Sequence, residues 1–400
     1  MNDNLLKVLT FKDLFFIGLC DIIGSGIFYI FIYTLLYGKK QSILAVLTIG
    51  ISSIISGLCY GEIISIFKNN SSEFNLVNSI FGENYSNIFS LTIIFFQLFT
   101  IATIIIALNK YLFKDNIIFG LFITCVIFLL LFYGIKLSTN IINVIGIIIL
   151  IILIFIITIG LFNIKPVKNA FINQSTNTYN FLICCTFVVF LYSGYDSIIK
   201  VYDEVHPDHI KYIPYAIIGS IIIATILYLL LTIIMLYNFN SSSINAPISY
   251  LYKLFLGDYA YYITYIIGAI ILFGTSFDIS LISSRYIYGL AKNKILPDFL
   301  TTLSCFKTPY IILLLQFIFI FILVLNNNVE FALSMSNIFV FIVLIHINLG
   351  IVIYRYKNEK KENEFKMPFY YNNIPTLPLI NLILLIILLF VSITLQLGHK

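Results

Sequence analysis

The chain has 400 residues, of which 60% are hydrophobic and only 10% are charged, with a formal net charge of +5. Its mean hydropathy is +1.02. An ordinary soluble domain carries about 25% charged residues, so the composition excludes a soluble enzyme or a soluble binding module. Most of the six cysteines lie inside apolar runs, which favours buried thiols over a disulfide framework.

Apolar runs of membrane-crossing length follow one another along the chain. Because lipid offers no hydrogen bonds to backbone groups, and because the runs lack the alternation of a barrel, we predict an all-α integral membrane protein. About eleven spans are predicted, at residues 14–37, 43–67, 88–113, 117–134, 141–163, 180–201, 213–237, 260–285, 309–326, 331–354 and 376–397.

Lysine and arginine are more frequent in the loops on the side of the N-terminus than in the loops on the other side. This bias predicts that residues 1–13 and the loop 355–375 are cytoplasmic. We expect the plasma membrane as the location, the lipid bilayer and a small molecule as partners, and no nucleic acid.

Glycine-rich interruptions occur in two of the predicted spans. Gly24-Ser25-Gly26 interrupts the first span, and Ser193-Gly194-Tyr195 interrupts the sixth. These spans open two sets of five, residues 14–163 and 180–354, while the span 376–397 lies outside both sets. Paired interruptions at corresponding positions are typical of an inverted-repeat transporter whose site lies near the middle of the membrane.

The first glycine triplet has two interpretations. Small residues let two helices pack closely in a membrane. Glycine also lets the backbone leave helical geometry, which would expose N–H groups that favour a carboxylate and carbonyl groups that favour an ammonium. The second interruption favours the binding interpretation, with a zwitterionic amino acid or a related amine as ligand.

Four acidic residues lie within the predicted spans, where charge is costly and usually functional. Asp21 precedes the first interruption by one turn, and Asp196 follows the second. Either carboxylate could receive a substrate ammonium, bind a coupling cation or exchange a proton, or else bond a freed backbone N–H. Glu62 is expected to act in a gate or in a helix–helix contact. Asp278 is expected to have a coupling role or to pair with Arg285 through a bridging group.

Several segments, in this order along the chain, resemble the signatures of the amino acid–polyamine–organocation (APC) superfamily of permeases. They are Ile22–Phe28, Leu58–Glu62, Phe81-Gly82, Phe190–Asp196, Asp203–Ile217, Ser284–Pro297 and Met367–Phe369. The resemblance covers residues 12–380. It implies a five-plus-five inverted-repeat (LeuT-like) fold with about 11 transmembrane helices and secondary transport by alternating access.

The resemblance also implies roles for single residues. The substrate carboxylate would bind the backbone of Ser25, Gly26 and Ile27. The ammonium would meet carbonyl groups near Ile22, Ile23, Phe190 and Tyr192. Phe190 would occlude the substrate, while Gly24, Ser193 and Gly194 would line the two interruptions.

One position departs from the superfamily pattern. Many relatives carry a membrane lysine in the fifth helix, where this chain has Ile149, so a proton mechanism that uses that lysine is not expected. We expect no cofactor, and a proton or a sodium ion as the possible coupling ion. Residues 109–116 contain no cysteine, so no disulfide-linked heavy chain is expected.

Other functions remain open at this point. The alternatives are a polyamine or other organic-cation permease, and a non-transporting nutrient receptor on the same fold. We expect no enzymatic activity, because the spans lack a cluster of nucleophiles, bases or metal ligands and hold a single histidine, His346. No nucleotide-binding loop is present, which argues against ATP-driven transport.

Overall fold

The structure is a computed structural model. It describes residues 7–24, 26–113, 116–133, 135–164, 170–239, 246–358, 364–371 and 374–398. Its helices are α1 Phe11–Gly24, α2 Phe31–Gly38, α3 Ser42–Phe67, α4 Ser72–Phe81, α5 Glu83–Phe113, α6 Ile117–Leu131, α7 Ile135–Phe162, α8 Thr178–Tyr192, α9 Ser197–Lys200, α10 Ile213–Asn238, α11 Pro247–Leu256, α12 Asp258–Lys292, α13 Tyr310–Asn326, α14 Val329–Lys357 and α15 Thr376–Gly398.

The remaining elements are short. Five 3₁₀ turns are found in the described residues, at Lys39–Gln41, Phe171–Asn173, Tyr202–Glu204, Pro207–Tyr212 and Asp298–Thr301. Strands β1 (Tyr370–Tyr371) and β2 (Ile374–Pro375) form a two-residue antiparallel ladder in which Tyr370 pairs with Pro375. This small hairpin leads directly into α15.

The described residues contain eight helical stretches that are long and apolar enough to cross a membrane, and α6 and α13 are shorter apolar helices. Exposed Ile, Leu and Phe side chains cover the outside of these helices, as lipid-facing surfaces require. The chain is therefore an all-α, multi-pass membrane protein, which confirms the predicted fold class.

Helix packing follows one plan in both halves of the chain. In the first half the helices are α1 with α2, then α3, α5, α6 and α7; in the second they are α8 with α9, then α10, α12, α13 and α14. Helix α1 packs on α7 and α10, while α8 packs on α14 and α3. Likewise, α5 packs on α13 and α12 packs on α6. Exchanging the halves therefore exchanges the contacts, as an inverted repeat requires.

The same kind of turn between a short helix and a long helix also occurs in both halves. The ten-residue helices α4 and α11 each end at a glycine, Gly82 or Gly257, and an acidic residue then starts the next long helix. The two glycines have φ angles of +85° and +89°, a conformation that L side chains rarely adopt. Both halves therefore share a glycine followed by an acidic residue at the same place.

The N-terminal segment is fixed to the loop that follows α9. The backbone N–H groups of Val8 and Leu9 both donate to the Glu204 carbonyl at 2.9 Å, and the His206 N–H donates to the Leu9 carbonyl at 2.9 Å. Leu9 is buried. The start of α1 is therefore held against the loop on its own side of the membrane.

Candidate functional site

The first predicted interruption is present in the structure. Helix α1 ends at Gly24, residues 26–30 form turns, and α2 begins at Phe31. A Cβ atom added to Gly24 would lie 1.8 Å from Oγ1 of Thr275, and one added to Gly26 would lie 2.1 Å from Cδ2 of Leu191. The side chains of Thr275 on α12 and Leu191 on α8 therefore pack directly against these glycines. Ser25, predicted to bind the substrate carboxylate, lies outside the described residues.

The second interruption faces the first. Helix α8 ends at Tyr192, and α9 begins at Ser197. Between them, Gly194 has a φ angle of +125°, and a Cβ atom on it would lie 2.5 Å from Cβ of Asp21 and 2.8 Å from the Asp21 carbonyl carbon. The backbone of the second interruption therefore rests directly on the last turn of α1.

A tyrosine on α10 joins the ends of the two half-helices. The Tyr228 hydroxyl lies 2.7 Å from the Ile22 carbonyl oxygen and 2.9 Å from that of Leu191. The Ile22 carbonyl, predicted to meet the substrate ammonium, therefore already has a donor. The carbonyl of Phe190, predicted for the same role, accepts a hydrogen bond from the Ser193 N–H at 3.1 Å.

The side chains predicted around the interruptions are closely packed. Ile23, Ile27 and Phe190 are completely buried, and Tyr192 is 1% exposed. The Tyr192 ring stacks edge-on against that of Tyr228 with centroids 5.3 Å apart. The structure therefore places the aromatic and aliphatic residues of the prediction at the interruptions.

Two of the four predicted acidic residues are buried near the interruptions. The side chains of Asp21 and Asp278 are completely buried, and they lie on α1 and α12, which pack against each other. Ser197 donates a hydrogen bond from its hydroxyl to Oδ2 of Asp21. Among the described residues, no donor group forms a hydrogen bond to Oδ1 of Asp21 or to either carboxyl oxygen of Asp278. Such unsatisfied oxygens are costly in a buried place and typical of functional sites.

Small cavities lie beside the second interruption. Two cavities of about 10 Å³ each border Ser193 and Asp196, a volume that holds at most one water molecule. A larger cavity of about 110 Å³ lies between α2, α8 and α14, on the side of the interruption away from the N-terminal segment; Tyr29, Tyr33 and Glu330 are among its lining residues.

The comparison with protein families identifies the chain. A family model described as "Amino acid permease" matches residues 9–399, which includes both interruptions and every helix of the two halves. The chain belongs to this family. This confirms the resemblance to permeases of the APC superfamily. No curated protein matches the sequence significantly.

The permease also buries a lysine beside the second interruption, a residue that the sequence analysis did not single out. Lys200 is completely buried on α9 and forms an ion pair with Asp196. Its Nζ atom lies 3.8 Å from Oε2 of Glu73, whose Oε1 accepts a hydrogen bond from Tyr60 at 2.9 Å. Asp196, Glu73 and Lys200 thus compensate one another, and the four-residue spacing of Asp196 and Lys200 was the available signal for this pair.

The remaining predicted acidic residue of the permease, Glu62, lies away from the interruptions. Its carboxylate forms an ion pair with Arg355 and accepts hydrogen bonds from the Tyr370 hydroxyl at 2.8 and 2.9 Å and from the Met367 N–H at 3.1 Å. These contacts hold the segment between α14 and α15 against α3. The geometry favours the helix-contact interpretation of Glu62, while a gating role stays a prediction.

The predicted pairing of Asp278 with Arg285 is wrong. The Arg285 Nε atom lies 2.6 Å from Oε1 of Glu204, and both side chains are buried. Arg285 is two turns further along α12 than Asp278, so its long side chain meets the loop after α9. Asp278 is buried on α12, which packs against α1.

The pH dependence of stability offers a test of this loop contact. Burial raises the pKa of Glu204 from 4.5 to about 7, although Arg285 beside it acts in the opposite direction. Between pH about 4.5 and 7 the folded chain therefore holds a proton that the unfolded chain has lost, so the free energy of unfolding falls as the pH rises through this window. We expect Glu204→Gln to remove this part of the decrease.

The measurement is the unfolding of purified permease in detergent across this pH range. Burial also raises the pKa of Glu73 to about 7, so a smaller decrease should remain in the variant. Asp258→Asn, at an exposed pair with Lys253, is the control and should keep the wild-type profile. An unchanged profile in Glu204→Gln would contradict the expectation.

Proposed function

We propose that the permease is a secondary transporter that moves amino acids across the membrane by alternating access. One observation carries the proposal: the two helix interruptions lie face to face, with Gly194 packed on Asp21 and Gly26 packed on Leu191. Interrupted helices in a membrane are tolerated only where they are buried in protein or line a cavity. They also place backbone N–H and carbonyl groups outside regular helical pairing, where a zwitterion could bind them.

Substrate binding would break the contacts between the two interruptions. Its carboxylate would bind backbone N–H groups after the first interruption, at Ser25, Gly26 and Ile27. Its ammonium would bind at the carbonyl ends of α1 and α8, in place of the Tyr228 hydroxyl that now lies between the carbonyl groups of Ile22 and Leu191. The closed packing of the described residues is, in this proposal, the occluded stage of the transport cycle.

The two sides of the site differ in a way that supports alternating access. On the side of the N-terminal segment, the buried Arg285–Glu204 pair and the backbone bonds from Val8 and Leu9 to Glu204 hold the loop after α9 against α12 and α1. On the other side, the cavity of about 110 Å³ reaches Tyr29 and Ile30, next to the first interruption. We propose that the N-terminal side faces the cytoplasm of the plasma membrane and that substrate enters from the cavity.

Uptake into proteoliposomes tests the proposal. Labelled arginine, leucine and putrescine would be offered to the purified full chain, at two pH values and with or without sodium. We expect saturable uptake of at least one amino acid, competed by the same unlabelled compound. Gly26→Leu should remove it, because the added side chain would occupy the space of Leu191.

The matched control is Gly219→Leu, because a Cβ atom at Gly219 meets only Phe15, at 3.8 Å. Normal uptake by a folded Gly26→Leu variant would exclude the proposed binding place. Absence of uptake and of exchange for every amino acid and amine tested would instead favour the nutrient-receptor alternative.

A second candidate function is a polyamine or organic-cation permease. It is favoured by the residues that line the cavity of about 110 Å³ between α2, α8 and α14. The rings of Tyr33 and Tyr37 stack on Phe187 with centroids 5.5 and 5.6 Å apart, and Glu330 lines the same cavity. Aromatic faces together with a carboxylate attract organic cations. Competition by putrescine stronger than that by leucine would select this candidate.

A further inference from the structure

A cavity of about 480 Å³ lies where α3 ends and α10 begins, on the side of the N-terminal segment. The other parts of the chain that border it are Tyr202, the end of the 3₁₀ turn Pro207–Tyr212, and Glu364 and Phe365 of the segment before α15. None of the described residues that line it belongs to either interruption. The proposed transport of amino acids therefore leaves this cavity without a role.

The lining of the cavity carries more positive than negative charge. Its described residues include Lys68 and Lys211 and a single acidic residue, Glu364. The Lys68 Nζ atom lies 2.8 Å from Oε1 of Glu364, but the two side chains are 47% and 58% exposed, and an exposed pair of this kind contributes little stability. The Lys211 ammonium lies 5.0 Å from the centroid of the Tyr212 ring. A ligand with a negative charge therefore fits between the two lysines.

The exposed face of α10 leads from the cavity into the bilayer. Tyr215, Ile222 and Ile226 are 58%, 42% and 51% exposed, and their spacing places them on one side of the helix. Lys211 precedes Tyr215 by about one turn. A lysine and a tyrosine at the end of a helix, followed by isoleucine on the same face, are typical of the boundary between lipid headgroups and hydrocarbon. The cavity therefore lies at the depth of the headgroups.

A second lipid-facing row reaches the same cavity along α3. Ile51 is 58% exposed, Leu58 is partly exposed, and Ser65 lines the cavity. Their heptad spacing keeps them on one side of α3, which packs closely against α10. The two rows offer apolar surface that ends at a positively charged cavity. A free anion would leave this surface unused, whereas the acyl chains of a phospholipid would cover it.

We propose that the cavity holds the headgroup of an anionic phospholipid from the leaflet on the side of the N-terminal segment. The phosphate group would lie between the ammonium groups of Lys68 and Lys211, while Glu364 turns toward water. The hydroxyl groups of Tyr202 and Tyr215 would donate hydrogen bonds to phosphate oxygens. The acyl chains would follow the exposed rows of α3 and α10. The lipid would thus join these two helices to the segment before α15.

Lipid titration of the purified full-length chain in detergent tests the site. Phosphatidylglycerol and phosphatidylcholine with the same acyl chains are compared by thermal unfolding and by native mass spectrometry. We expect phosphatidylglycerol to bind more tightly and to raise the unfolding temperature further. Lys68→Gln and Lys211→Gln should each raise its Kd about fivefold, because each lysine near a headgroup contributes a free energy of that size. Lys253→Gln, at an exposed ion pair beyond the other end of α10, is the control and should keep the wild-type Kd.

Three results would overturn the proposal. The first is equal binding of the two lipids, and the second is an unchanged Kd for phosphatidylglycerol in both lysine variants. The third is stabilisation by inorganic phosphate as large as that by the lipid, which would show a site for a free anion. A photoactivatable phosphatidylglycerol should also cross-link to the peptides that contain Tyr215 or Phe365, and cross-links found only elsewhere would equally count against the site. None of these measurements requires a transported substrate, so their outcome is independent of the proposed function.

Discussion

Gly194→Ala is expected to abolish uptake and to lower the free energy of unfolding by more than about 3 kcal/mol, since two penalties combine at this position. The φ angle of +125° is one that alanine rarely adopts, and the added Cβ atom would lie 2.5 Å from Cβ and 2.8 Å from the carbonyl carbon of Asp21. The backbone of Asp21 cannot rotate away as the end of a flexible side chain can. Either the two interruptions separate, or α9 changes its direction.

Substitutions at two other glycines distinguish the backbone strain from the steric contact. Gly82 has a φ angle of +85° with nothing within 4 Å of an added Cβ atom, so Gly82→Ala should cost only the backbone strain, about 1–2 kcal/mol. Gly219 is helical, and its added Cβ atom meets Phe15 at 3.8 Å, so Gly219→Ala should be close to neutral. Thermal unfolding in detergent and uptake in vesicles measure all three. Equal effects at Gly194 and Gly82 would show that the contact between the interruptions is unimportant.

Local chemistry made the fold and the interruptions predictable. Hydropathy is a sum over neighbouring residues, so a run such as 331–354 predicts a membrane helix without knowledge of its partners. Glycine likewise acts on its own backbone, so the breaks after Gly24 and before Gly194 lie where the sequence predicted them. The inverted repeat was predicted from the order of the spans and from the paired interruptions. Its clearest trace in sequence, the glycine followed by an acidic residue at Gly82 and Gly257, lies between spans and was overlooked.

Long-range contacts made much of the site unpredictable. The burial of Lys200 was not predicted, because a single lysine at the end of an apolar run usually reaches water. Its burial depends on Glu73, which comes from a short helix far away in sequence. Arg285 was placed near Asp278 by helical spacing, but the loop residue Glu204 binds it. Nothing in the sequence marked Tyr228 as a residue of the site, since a tyrosine within a span is normally interpreted as a packing or interface residue.

Arg355→Met is expected to lower the free energy of unfolding by about 3–5 kcal/mol, because it leaves the buried carboxylate of Glu62 without its cation. Tyr370 and Met367 would still donate hydrogen bonds to Glu62, but they carry no charge. The double variant Glu62→Leu with Arg355→Met should be more stable than Arg355→Met alone, since removing both charges avoids the unpaired one. Chemical unfolding of the three proteins in detergent measures these differences.

The same variants decide between the two interpretations of Glu62. If Glu62 only holds the segment before α15 against α3, the double variant should transport at nearly the wild-type rate once it is folded. If Glu62 takes part in gating, its removal should change the uptake rate even where stability is restored. Because Glu62 contacts Arg355, Tyr370 and Met367 rather than any residue of the interruptions, we expect the first result. A slowed double variant with restored stability would assign Glu62 to the gate.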